Sequence, residues 1–150
     1  MIRTLVAGIV AATVIALSTT AFAQAQFGTA AEAKAMLEKA VAAVKADKAK
    51  ALADFNSPSG TFRDRDLYVF CSGPDGSLTA HPTIKGQQIA SLVDKNGKKL
   101  GEAILAAAKE GQIAEVDYMW PRPGADTTPV KKISFVTKVG DQVCGVGYYS

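Results

Sequence analysis

The chain has 150 residues, with 17 Lys and Arg against 14 Asp and Glu, a net charge of +3 and a hydrophobic fraction of 48%. The length suits one domain, and the composition is that of a globular chain rather than a disordered one. The charge is too small to argue for nucleic-acid binding, so no nucleic-acid partner is expected. One His and two Cys cannot build an ordinary four-ligand zinc site from side chains of those types, and no CxxCH haem-attachment motif is present, so no metal or cofactor is expected.

Met1-Ile2-Arg3-Thr4 is a short basic start, residues 5–17 are an uncharged apolar run, and Ala21-Phe22-Ala23 offers small residues at the −3 and −1 positions. This order predicts a secretory signal over residues 1–23, cleaved after Ala23, and a periplasmic or secreted domain over 24–150. The rival is an uncleaved membrane anchor. A span needs about 20 apolar residues, and residues 5–23 approach that only by including Ser18, Thr19 and Thr20. Beyond the leader, 127 residues remain with 16 basic against 14 acidic side chains. Export puts Cys71 and Cys144 in an oxidising compartment, where an even pair reads as a disulfide closing a loop of about 73 residues. Two separate buried thiols are the second reading and a catalytic nucleophile the third.

Residues 24–29 read as a short flexible entry. Residues 30–46 predict a helix: they are rich in Ala, and Met36, Leu37, Ala40, Val41 and Val44 recur at helical spacing. Thr29 and Glu32 fit a capping box. This helix packs on a core or, alternatively, against a copy of itself in a homodimer. Asp47 is placed to cap a second helix carrying Ala51, Leu52 and Phe55, which the run Asn56-Ser57-Pro58-Ser59-Gly60 stops. The period then changes. Residues 67–71 are strand formers, Gly73-Pro74-Asp75-Gly76 is a turn, and residues 78–81 return as a short strand ended by Pro82. Residues 83–97 are irregular and end in an Asp94-Lys95-Asn96-Gly97 turn, which superficially resembles a calcium loop but lacks its downstream acidic spacing. Residues 98–109 predict a helix with Gly111 at its C-terminal cap. Three strands follow, over 113–120, 130–139 and 142–149, with connections short enough for antiparallel hairpins. The sum is an α+β fold, a five-stranded antiparallel sheet with a long N-terminal helix packed on it.

Several short segments, in this order, resemble one known family. They are Asp66-Leu67-Tyr68-Val69-Phe70, Asp75-Gly76, Ala80-His81-Pro82 with Gly86 following, and Asp94-Lys95-Asn96-Gly97-Lys98. Then come Tyr118-Met119-Trp120-Pro121, Pro129-Val130-Lys131-Lys132-Ile133-Ser134-Phe135 and Gly145-Val146-Gly147-Tyr148. Together they resemble the type 2 single Cache domain over roughly residues 29–149. The resemblance implies an extracytoplasmic, PAS-like sensor fold that binds small ligands, often carboxylates or amino acids, in a pocket beside its sheet. Such domains are usually joined by a transmembrane helix to a kinase, chemoreceptor or cyclase. Here the last strand runs to Ser150, so the expectation is a module without its own output domain, whose signal passes to a membrane signalling protein.

Strand alternation orders the candidates. Tyr118 and Trp120 share a face, as do Lys132 and Ser134, and as do Tyr68 and Phe70. If Cys71 and Cys144 are bonded across neighbouring strands, Gly145 and Gly147 point with Tyr68 and Phe70, and the two missing side chains leave room for a guest. Lys132 is the first choice for ligand charge, with hydroxyl and indole donors from Tyr118 and Trp120; a surface lysine covering its strand is the alternative. Lys131 has opposite parity and is solvated. His81, the only histidine, could bond a ligand and make binding pH-sensitive, or be a structural histidine bonded to backbone; no partner clusters with it for a metal. Arg63 and Arg65 in RDRD read as charge neutralisation on a surface turn, with carboxylate capture by either Arg as the alternative. Tyr148 reads as core.

No catalytic residues are expected, because no Ser-His-acid order, paired carboxylates or phosphate loop stands out. The leading expectation is a sensory or binding module for a small anionic metabolite, an organic acid or amino acid. A structural or protein-interaction module with no small-molecule ligand is the alternative.

Overall fold

The computed structural model describes residues 25–150. The expected leader and its cleavage point lie outside the described residues. Helix α1 spans Ala30–Ala46 and α2 Lys48–Asn56. The capping box closes the start of α1: the Glu32 amide donates to Thr29 Oγ1 at 3.2 Å and the Thr29 amide to Glu32 Oε2 at 2.8 Å. Asp47 then ends α1 and caps α2, accepting from the Lys50 amide at 3.0 Å. The predicted stripe is the buried one, with Ala33, Met36, Leu37, Ala40 and Val44 facing inward.

Strands β1 (Arg63–Asp64), β2 (Leu67–Ser72), β3 (Leu78–Ala80), β4 (Ala114–Pro121), β5 (Pro129–Val139) and β6 (Gln142–Tyr149) form one antiparallel sheet in the order β1-β2-β6-β5-β4. β3 pairs with the far end of β2, on the edge it shares with β1. The sheet thus has six strands where five were expected. The extra one lies in RDRD: Arg63 and Asp64 pair with Tyr68 and Leu67, and Arg65 turns the chain with a positive φ of 55°. Two residues are too few for alternation to reveal a strand.

Other boundaries also move. The third helix, α3, is only Leu100–Ala107, so Gly111 does not cap it. Gly111, at φ 70°, serves a turn in which Lys109 and Gln112 bridge. A single 3₁₀ turn, Ile89–Ser91, sits in the stretch expected to be irregular. Asp94 anchors its turn as expected, accepting from the Asn96 and Lys98 amides, and it also accepts from Met119 on β4. Residues 25–29 are tied down rather than flexible: Gly28 donates to Asp66 and Arg65 donates to the Ala25 and Phe27 carbonyls.

The sheet separates two cores. On one face α1 and α2 cover Leu67, Val69, Cys71, Phe135, Cys144 and Val146. Tyr148 belongs to this layer, stacked on Phe135 at 5.9 Å, as its core reading requires. Cys71 and Cys144 are directly opposed on β2 and β6 and form the expected disulfide. The opposite face carries Tyr68, Phe70, Val116, Tyr118 and Val136, covered by α3, the 3₁₀ turn and the irregular segment.

Candidate functional site

The second face contains the cavity. Pleating alone directs its walls: Tyr68 and Phe70 on β2, Tyr118 and Trp120 on β4, and Lys132 and Ser134 on β5 all point away from α1 and α2. A narrow inner chamber lies between Tyr68, Phe70, Tyr118 and Trp120 below and Leu78, Ile89, Leu100 and Ile104 above. Only a small part of it is wide enough for a water molecule. An outer chamber of about 250 Å³ opens beside it, walled by Pro82, Thr83 and the 121–127 loop. Tyr68, His81 and Trp120 line both chambers and form the throat between them. Their rings meet edge to face, Tyr68 to His81 at 5.2 Å and His81 to Trp120 at 6.1 Å, with Tyr118 behind Trp120 at 6.3 Å.

Lys132 lies beneath this floor. It is 1% exposed, its Nζ donates to Tyr68 Oη at 2.8 Å, and it sits 4.0 Å from the Tyr68 ring centroid and 5.2 Å from that of Tyr149. The surface-lysine reading is therefore excluded, whereas Lys131 is exposed as expected. Among the described residues no carboxylate pairs with Lys132; Asp66 acts on it only through its field. Burial drives the Lys132 ammonium down to about 7 from 10.5, with Asp66 opposing. The Tyr68 hydroxyl is pushed well above its ordinary value, first by burial and then by the neighbouring Tyr149 and Tyr118, with the Trp120 indole acting the other way through a hydrogen bond. Tyr118 and Ser134 bond each other at 2.8 Å, and burial also raises Tyr118.

The glycines do not leave the room that parity suggested. Phe70 lies across Gly145, where a Cβ would strike its ring, and the Lys132 stem and Ser134 hydroxyl fill the space over Gly147. The faces were assigned correctly, but the vacated volume is used to fold Phe70 and Lys132 flat against β6. The open volume lies above them instead.

His81 differs from expectation in one respect. Its Nδ1 accepts from the Thr83 and Ile84 amides at 3.1 and 3.3 Å, which leaves the proton of the neutral ring on Nε2. Burial, then the charges of Lys132 and Arg63, lower its pKa to about 3. It is neutral throughout the physiological range and cannot be the pH-sensitive group.

Three residues that sequence reasoning passed over complete the site. Tyr149 shares the cavity face and donates from its hydroxyl to the Pro121 carbonyl at 2.8 Å; the β6 alternation used for Gly145 and Gly147 would have found it. Asp66 is 5% exposed and joins distant segments, accepting from Gly28 at 2.7 Å and from Arg122 Nε at 3.3 Å. Arg122 in turn lies over the Phe27 and Tyr149 rings, at 4.2 and 5.0 Å. Nothing local in the sequence marks Asp66 or Arg122 as partners.

Comparison with known proteins agrees with this architecture. Over 91 residues the chain is 28% identical to the methyl-accepting chemotaxis protein McpP of Pseudomonas putida, a match covering 57% of this chain and 16% of that protein. The chain thus spans only a small part of that receptor. Its fold superposes on a methyl-accepting chemotaxis protein of Vibrio parahaemolyticus with a TM-score of 0.65 at 22% identity, covering 79% of this chain and 86% of that one. A periplasmic sensor domain of a chemotaxis protein gives 0.60 at 28%, covering 77% and 86%. A Cache chemosensory domain studied for carboxylic acid recognition gives 0.59 at 25%, covering 77% and 84%. The family described as Single Cache domain 2 matches residues 9–149, nearly the whole chain, and this protein belongs to it.

Proposed function

We propose that this Cache domain is an extracytoplasmic sensory module that binds a short carboxylate without chemical turnover. One observation carries the reading. A buried lysine with no carboxylate partner sits behind a tyrosine hydroxyl at the throat of an aromatic cavity. Such a charge is costly unless an anion completes it. In this reading the ligand carboxylate accepts from the Tyr68 hydroxyl and the Trp120 indole N–H, with the Lys132 charge directly behind. The apolar tail enters the chamber lined by Leu78, Ile89 and Leu100. The narrow interior favours a ligand of a few carbons, and the carboxylic-acid-recognising relative supports the class. The Cys71–Cys144 disulfide supports an oxidising, extracytoplasmic setting.

Signalling needs a ligand that favours one of two conformations. Entry of a carboxylate parts Tyr68, His81 and Trp120, and the 121–127 loop that follows Trp120 moves with them. That movement is read by a membrane signalling protein. The close filling of the space over Gly145 and Gly147 favours the second reading, a protein-interaction module with no small ligand. Thermal-shift and calorimetric titration with acetate, propionate and butyrate, each against its amide, separates the two. Stabilisation by the acids alone, lost in Lys132→Ala, supports carboxylate sensing; no response to any acid leaves the interaction reading.

A further inference from the structure

Arg63 is the one member of RDRD whose charge the fold leaves unused. Arg65 is satisfied by Asp64 at 2.8 Å and Glu32 at 2.7 Å, which is the charge neutralisation expected of a surface turn. Asp66 is held by Gly28 and Arg122. Arg63 has no ion pair among the described residues, and its Nε is buried without a hydrogen-bond partner. A buried donor left unpaired is costly enough to need an explanation.

Its position supplies one. Arg63 is directly opposite Tyr68 in the β1–β2 pairing, so both side chains leave the sheet on the cavity face. His81 feels the charges of both Arg63 and Lys132, and the strand order puts Arg63 on β1 and Lys132 on β5, on opposite sides of Tyr68 on β2. The neutral His81 ring carries its proton on Nε2 and supplies a further donor at the throat. Two cations on opposite sides of Tyr68, with a neutral donor at the throat, match an anion at each end of one small molecule.

We propose that Arg63 is a specificity-determining residue that makes the site prefer short dicarboxylates over monocarboxylates of equal length. This rests on the carboxylate reading above and deepens it. One carboxylate occupies the Tyr68–Trp120–Lys132 pole; the second reaches through the throat to Arg63, pairing the orphaned Nε–H. A planar guanidinium holds a carboxylate by two parallel hydrogen bonds, which glutamine and lysine cannot reproduce.

Succinate and butyrate, equal in length and different at one end, test this by calorimetry on the intact protein at pH 6.5. Succinate is expected to bind at least about tenfold more tightly, as a charge-assisted contact implies. In Arg63→Gln the preference collapses to about onefold while butyrate affinity is retained, and retained butyrate binding also certifies that the variant is folded. Arg63→Lys is expected to restore the preference only in part. Butyrate binding as tightly as succinate in the unaltered protein, or an undiminished succinate preference in Arg63→Gln, overturns the role of Arg63 and leaves carboxylate sensing intact. Binding of neither acid overturns both.

Discussion

Tyr68 stands between Lys132 and the cavity: the ammonium is 4.0 Å from the ring centroid and donates to its hydroxyl at 2.8 Å. The cavity is lined by Tyr68 and not by Lys132. The ring face stabilises the cation, and the hydroxyl accepts from Lys132, which polarises its own proton. Charge buried on one side of the tyrosine is thereby presented as a polarised hydroxyl on the other.

Replacing Lys132 with Met removes a buried unpaired charge while keeping the stem that covers Gly147. At pH 6, where the amine is protonated, the unliganded variant is expected to melt no lower than the parent, because the desolvation cost disappears. Its affinity for propionate should fall about 30- to 100-fold, the effect of a lost charge-assisted contact. Thermal denaturation and calorimetry at the same pH read both effects. A large drop in melting temperature would mean that Lys132 is chiefly structural.

Lys132 also fixes the pH response. Its value in the folded protein is about 7, and an adjacent carboxylate would raise it, so binding above pH 7 should take up a proton. Affinity should be level below pH 7 and fall by up to about tenfold per pH unit above it. The sign for stability is opposite. Lys132 is depressed on folding, so the unfolded chain binds more protons between about 7 and 10.5, and its contribution to stability rises with pH across that window. Titrations in buffers of different ionisation heat measure the uptake directly. Since the charge of Asp66 raises Lys132, Asp66→Asn should move the fall in affinity to lower pH. His81, at about 3, contributes nothing near neutrality.

Gly147→Ala tests the packing beneath the site. A methyl there meets the Lys132 stem and the Ser134 hydroxyl, so both must shift. Overpacking of this kind costs about 1–3 kcal/mol. Urea denaturation should register that loss, and ligand affinity should decline with it, since Lys132 is displaced from Tyr68.

Converting both Cys71 and Cys144 to Ala removes a crosslink spanning 73 residues. Loop-closure entropy alone assigns it about 4 kcal/mol. The bond lies on the helix face, away from the cavity, so the folded double variant should keep its carboxylate affinity while its denaturation midpoint falls. Loss of binding in a variant that is still folded would contradict that separation.

Much of this molecule was legible in its residues because its signals are local or periodic. The Thr29–Glu32 capping box, the stripe from Met36 to Val44 and the period-two strands each need only a few neighbouring positions. Parity then paired Tyr68 with Phe70, Tyr118 with Trp120 and Lys132 with Ser134, and the register of β2, β6, β5 and β4 brings the three pairs to one face. What failed depended on volume or distant partners. Parity says where Gly145 points but not that Phe70 will lie over it. The anchoring of residues 25–29 requires Asp66 to meet Gly28 and Arg122, contacts 38 and 56 positions apart in the chain. The depression of His81 comes from burial, for which one histidine in a short strand gives no sign.

The disulfide has a consequence beyond the entropy of its loop. Because Cys71 faces Cys144 directly, it indexes β2 against β6 as a pin indexes two sliding plates. Slippage by one residue would turn every side chain of one strand to the opposite layer, carrying Phe70 off Gly145 and into the helix core. The crosslink touches no part of the cavity, yet it dictates which residues can meet there. An oxidised pair on the far side of the sheet is in this sense part of the specification of the cavity face.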